Sequence, residues 1–172
     1  EIAREKAGII KPNRPVFVGA VPAEAEIEIR TAAQRANAPI EVFGRDFFLE
    51  DVELISSGRC FRFAENFLKK AAHDQRNLAL ALRVGQALDL NDSALQRGLE
   101  ICRWPGRLER RRDPAGDAEI LFDVAHNLDG IGALADFLLD ESKIKLPHRA
   151  SFVISILEHK DWHQMLARLR GL

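Results

Sequence analysis

Apolar and polar positions alternate with two different periods along this chain, and the switches between them mark its elements. Residues 16–20 (VFVGA) and 40–43 (IEVF) are short strand-like runs. Between them, residues 23–36 are rich in helix formers, with Ala25, Ile29, Ala32, Ala33 and Ala36 on one side. Asn37-Ala38-Pro39 stops that helix, so residues 16–43 predict strand, helix, strand, the unit from which parallel sheets are built. Ahead of it, residues 1–6 predict the end of a helix stopped at Gly8, followed by a turn from Lys11 to Pro15. Residues 47–53 and 59–63 alternate loosely around Ser56-Ser57-Gly58, which predicts a β-hairpin. Phe61 and Phe63 share one face of it and are expected in the core. Residues 71–90 predict a long helix with Leu78, Leu82 and Gly85 or Gln86 on one stripe. Asp92-Ser93 is expected to cap a further helix over residues 94–102.

The second half opens with Ile120, Leu121 and Phe122, which predict a buried strand. Ala133, Leu134, Phe137 and Leu138 then recur at helical spacing. A basic, proline-containing connection (143–149) leads to residues 152–157, an apolar run expected to form a buried parallel strand. Residues 162–169 predict a helix with Met165, Leu166 and Leu169 facing in. The order β-α-β-α is the opening of a small Rossmann-like domain, but no G-x-G-x-x-G is present and dinucleotide binding has no support. Candidate chemistry collects where the first of these strands hands over to its helix. Asp123, His126, Asn127 and Asp129 bring carboxylates, an imidazole and an amide to a strand's carboxyl end, the place where open α/β sheets bind ligands. The plainer interpretation of the same residues is a polar loop whose Asp and Asn cap the helix.

Composition narrows the classes. Of the 172 residues, 47% are apolar, enough for a core and too many for a disordered chain. Twenty-five Lys and Arg against 26 Asp and Glu leave no footprint for nucleic acid or an anionic membrane. No apolar run approaches the roughly 20 residues of a membrane span. Cys60 and Cys102 have no metal-ligand spacing and are expected as reduced, buried thiols, which suits a cytoplasmic protein. His159 and His163 are four apart with no third ligand nearby, so a zinc site is not expected. The chain starts without Met and already in a helical period, and it stops directly after a helix-like run. A piece of a longer protein is therefore expected.

Four separated segments share one resemblance. IAREKAGIIKP is similar to I-x-x-E-K-A-G-I-x-K, HDQRNLALAL to H-Q-x-x-N-A-A-L-A-L, RWPGRLE to W-P-G-R-x-E, and FDVAHN to D-x-A-H-N-P. The later VISILEHKDWHQML is similar to V-x-G-x-L-x-D-K-D-x-x-x-M-L. In this order they resemble the folylpolyglutamate synthase / dihydrofolate synthase family, a branch of the Mur ligase superfamily. The departures are Ala72 and Asp74 around His73, Leu128 for the family's Pro, Ser155 for Gly and His159 for Asp. Residues 46–70 carry no matching motif.

The resemblance implies an α/β fold: the latter part of a Mur-ligase-like central ATPase domain over residues 1–104, then the first part of a Rossmann-like C-terminal domain over 105–172. It implies an ATP- and Mg²⁺-dependent amide ligase that phosphorylates the carboxylate of a folate, or of dihydropteroate, for attack by L-glutamate. Asn77 would read the adenine edge, since an amide both donates and accepts. Arg107 would hold phosphate oxygens with its planar fork and, on a Pro-Gly hinge, tie closure to nucleotide. Asp123 would be a nucleotide contact and, with His126, catalytic. Lys6, if carbamylated, would offer oxygens to the metal; such a lysine must be desolvated enough to lose its proton. The family's G-x-x-x-x-G-K-S/T loop and its metal-binding His are not among these residues. No nucleic acid or membrane partner is expected, and the full-length protein is expected to be a monomer. Two rival expectations are another Mur-type ligase acting on UDP-muropeptide precursors and a non-catalytic remnant that kept the fold for binding.

Overall fold

The computed structural model describes residues 1–56, 59–63, 72–102, 104–116, 118–140, 151–170 and 172. These residues form two compact units, one built from the elements up to residue 100 and the other from those that follow.

In the first unit α1 (Ile2–Ala7) packs on α2 (Ala23–Arg35). The strands β1 (Val16–Val18) and β2 (Ile40–Val42) flank α2 and pair in parallel, Val16 opposite Ile40 and Val18 opposite Val42. The expected βαβ unit is thus present, with strands trimmed to the residues that have a partner. The expected hairpin is instead a three-stranded antiparallel meander, β3 (Phe47–Glu50), β4 (Glu53–Ser56) and β5 (Arg59–Arg62). The run 47–53 is broken because Asp51 takes a left-handed conformation (φ 49°) and turns the chain. The expected turn at Ser57-Gly58 lies outside the described residues.

The meander's inner face holds Phe47, Leu54, Phe61 and Phe63, which pack with Ala79 and Leu82 of α3 (Ala72–Ala87) and Leu95 of α4 (Asp92–Ile101). Phe61 and Phe63 meet edge-to-face at 5.8 Å, so their shared face is core as expected. Helix α3 stops before Leu90 because Asp89 turns left-handed (φ 56°). Arg83 of α3 forks onto Glu41 of β2, at 2.7 and 2.5 Å, and lies 5.0 Å from the Phe17 ring centre. The cap of α4 is Asn91, whose Oδ1 accepts the Ala94 N–H at 2.8 Å, and not Asp92-Ser93. Ser93 donates to the same oxygen.

The second unit begins with β6 (Glu109–Arg112), antiparallel to β7 (Glu119–Phe122), Glu109 opposite Phe122. Helix α5 (Leu128–Leu139) is covered on two sides. Phe137 and Leu138 meet Leu108 and Leu121, while Ile131 and Ala135 meet Met165 and Leu169 of α6 (Trp162–Leu169). Two expectations fail here. Strand β7 forms but is not buried, with Ile120 37% and Phe122 44% exposed. Residues 152–157 form no strand, and Val153 is fully exposed. Both failures share a cause: a buried strand needs sheet neighbours and covering helices, and the described residues supply only β6 on one edge of β7. The connection expected over 143–149 lies outside the described residues. Cys60 and Cys102 are exposed rather than buried. The Cys60 thiol donates to Glu53, and that bond raises its pKa.

Candidate functional site

The five residues to which the resemblance gives roles fall into two groups. Arg107, Asp123 and His126 belong to the second unit, and Lys6 and Asn77 to the first.

The second unit's group is built by the backbone. The chain leaving Trp104 makes a tight turn in which Arg107 N–H donates to the Trp104 carbonyl at 3.2 Å. Gly106 (φ 71°) and Leu108 (φ 46°), on either side of Arg107, are both left-handed. For Gly106 that conformation is free; for leucine it costs on the order of 1 kcal/mol and needs an external hold. Asp123, just past β7, supplies it. Its Oδ2 accepts the Leu108 N–H at 3.0 Å, while its Oδ1 accepts the Ala125 N–H at 2.8 Å and bends the chain after the strand. A further bond from Val124 N–H to the Gly106 carbonyl, at 2.8 Å, fastens the turn to the loop. The approach is close enough that a Cβ on Gly106 would lie 2.7 Å from Val124 Cγ1. The W-P-G-R-L-E and D-V-A-H-N segments, fifteen residues apart in sequence at Leu108 and Asp123, therefore form one structural piece.

Arg107 is exposed on this turn, and among the described residues its guanidinium has no ion-pair or hydrogen-bond partner. His126 is also exposed, with Nδ1 3.1 Å from the Val124 carbonyl, which favours a proton on Nδ1 and leaves Nε2 as an acceptor. Asn127 is the N-cap of α5: its side-chain oxygen accepts the Gly130 N–H at 2.7 Å. The plainer interpretation thus holds for Asn127. Asp123 is half-buried, and each of its oxygens keeps a lone pair beyond its amide bond, so its backbone role leaves capacity for a ligand.

The sequence did not single out Glu109. Its Oε2 accepts the Gly106 N–H at 2.9 Å and its Oε1 accepts from Arg111 Nε at 2.8 Å. The Gly106 amide, and then Arg111, hold this carboxylate below the ordinary range. The signal was present in the final Glu of W-P-G-R-x-E, but spacing does not say that a side chain returns to the backbone three residues earlier.

In the first unit, Asn77 lies on the exposed side of α3, one turn beyond His73, whose Nε2 is 3.2 Å from Asp74 Oδ1. Lys6 is exposed in the last turn of α1. No described residue supplies the desolvation that carbamylation would need. Among the described residues no group of three His, Cys, Asp or Glu could hold a metal ion. His163 is stacked on Trp162. In the second unit, an exposed guanidinium without a partner among the described residues and a carboxylate with spare lone pairs suit phosphate and hydroxyl groups, but they do not by themselves fit Mg²⁺. Among the described residues no helix is long and apolar enough to cross a membrane. Arg103, which opens the R-W-P-G-R-L-E segment, lies outside the described residues.

No family model matches the chain. It is similar to a dihydrofolate synthase/folylpolyglutamate synthase of Bacillus subtilis, 31% identical across 100% of this chain and 42% of that protein. A solved structure described as E. coli FolC in complex with DHPP and ADP superposes with a TM-score of 0.79 and 26% identity, over 99% of this chain and 40% of that one. A UDP-N-acetylmuramyl-tripeptide synthetase of Bifidobacterium longum is 32% identical over 63% of this chain and 19% of its own length, which ties the sequence to the wider Mur ligases. The chain spans about two fifths of the length of the folate-ligase relatives, 42% in the Bacillus case. With four motifs in order, an α/β fold that matches across nearly its whole length and the turn and loop those motifs build, this chain belongs with the folylpolyglutamate synthase / dihydrofolate synthase family of the Mur ligase superfamily.

Proposed function

We propose that this chain is part of an ATP-dependent ligase that forms an amide between a folate carboxylate and L-glutamate through an acyl phosphate. Dihydropteroate is the second acid we assign to it. The observation that carries this reading is the single piece formed by the Arg107 turn and the Asp123 loop, which presents a guanidinium with no carboxylate partner among the described residues. A family relationship over the whole chain supports the same reading.

Each residue has a role that its chemistry can fill. Arg107 binds phosphate oxygens by its planar fork and offsets their charge. Asp123, already oriented by two amides, accepts a hydrogen bond from the nucleotide through a spare lone pair. His126, with Nε2 as an acceptor, orients the incoming amine. Asn77 reads the adenine edge. ATP supplies the phosphoryl group that turns a poor leaving oxygen into a good one. Mg²⁺ is expected with ATP, and Lys6, once carbamylated, would be its ligand. We place residues 1–104 in the central ATP-binding domain and 105–172 in the glutamate-ligase domain of a cytoplasmic, monomeric full-length enzyme.

The test is phosphate release by the full-length gene product given Mg-ATP, L-glutamate and either dihydropteroate or a reduced folate. Release should need both glutamate and the pterin acid. Arg107→Ala should raise the KM for ATP by about tenfold or more, as expected when a charge-assisted pair is lost. Release that ignores pterins but responds to UDP-muropeptides would overturn the folate assignment. No release from a folded, full-length protein with any of these acids would leave only a binding role.

A further inference from the structure

Arg107 is pinned on both sides by carboxylates that do not touch its own side chain. The Gly106 N–H goes to Glu109 at 2.9 Å and the Leu108 N–H to Asp123 at 3.0 Å. Gly106 and Leu108 are also the two left-handed residues of the turn. The same two bonds therefore hold the strained backbone and occupy the two carboxylates that return to the turn. A carboxylate left unengaged there would compete with a phosphate for the guanidinium.

Glu109 is itself anchored. Its other oxygen, Oε1, takes the Arg111 guanidinium at 2.8 Å through Nε and 2.6 Å through Nη2. Arg111 lies 5.6 Å from the centre of the Phe122 ring on the neighbouring strand. A line of contacts thus runs from β7 through Arg111 and Glu109 to the backbone that carries Arg107. Glu109 is half-buried, and it stays ionised because an amide and a guanidinium both favour its charged form.

We propose that Glu109 is a positioning residue for nucleotide phosphate. By holding the Gly106 amide, with Arg111 as its counter-ion, it sets the turn in which Arg107 is presented without a partner among the described residues. This rests on Arg107 being a phosphate contact, as proposed above.

The test uses the full-length gene product and the non-hydrolysable ATP analogue AMPPCP, with KM values for ATP, glutamate and the pterin acid measured alongside. Glu109→Ala should weaken AMPPCP binding and raise the ATP KM by about tenfold, with the other two KM values unchanged. Glu109→Gln keeps an oxygen for the Gly106 N–H and should stay within about threefold of the parent. In an Arg107→Ala background, Glu109→Ala should change AMPPCP affinity little, because its effect passes through Arg107. Additive losses in the double variant, an unchanged affinity in Glu109→Ala, or an equal loss for all three substrates would overturn the proposal. If Glu109→Ala does not fold, Arg111→Ala carries the test. It should weaken AMPPCP about two- to fourfold, and only while Arg107 is present; no change overturns the proposal. Arg107→Ala with undiminished AMPPCP affinity would sink the phosphate-contact reading and this proposal with it. Loss in Arg107→Ala without loss in Glu109→Ala would sink this proposal alone.

Discussion

At the scale of single residues, much of what the motifs contain is backbone engineering. Asp123 ties two segments together, Asn127 caps α5, and Gly106 allows a left-handed turn to press against Val124. Gly106→Ala should therefore destabilise the second unit by about 1–2 kcal/mol through its positive φ alone. The contact with Val124 Cγ1 adds to that, since a β-branched side chain cannot swing away freely. Denaturant unfolding of Gly106→Ala with and without Val124→Ala separates the two costs. Recovery of full stability by the second change would show that φ carries none of it. From the residue types alone, Asp123 and Arg107 were visible as candidates. Glu109 was not, because its partner is a backbone amide and nothing in a residue's identity names an amide as its target.

At the scale of elements, periodicity placed the helices well and the strands less well. Helices α2, α3 and α6 lie where their apolar spacing put them, because a helix satisfies its own backbone and needs a neighbour only for one face. Strands depend on partners elsewhere. The run 47–53 became two strands at Asp51, and 152–157 became none. The join between β2 and β3 shows another local device. Asp46 Oδ2 accepts the Val42 N–H at 2.8 Å and also pairs with Arg45. The bond from Arg45, with further help from the Val42 amide, lowers the Asp46 pKa. A lowered folded-state value contributes stability that is complete above the unfolded carboxylate value of about 4 and is lost as pH falls through the folded value. Thermal melting of the parent should then decline more steeply below about pH 4 than that of Asp46→Asn. Parallel acid limbs for the two proteins would show that this carboxylate adds nothing.

At the scale of the whole molecule, each unit has its own core, one around Phe47, Leu54 and Leu82 and the other around Ile131 and Met165. The candidate site residues are divided between the two units, with both catalytic candidates in the second, and no phosphate-cradling G-x-x-x-x-G-K-S/T loop occurs in the 172 residues. These residues alone should therefore show no glutamate-dependent phosphate release, even when folded; turnover above the no-enzyme rate would refute that expectation. The amino-acid sequence by itself determined the family, the helices and the βαβ unit, and it named Asp123 and Arg107 as candidates, because periodicity and motif spacing are local properties of the chain. Only the tertiary structure decided which strands find partners, that Lys6 stands exposed, and that Asp123 and Glu109 each hold an amide beside Arg107. Those outcomes depend on groups far apart in sequence, or on backbone conformations such as the left-handed Leu108, and such conformations persist only where surrounding bonds hold them.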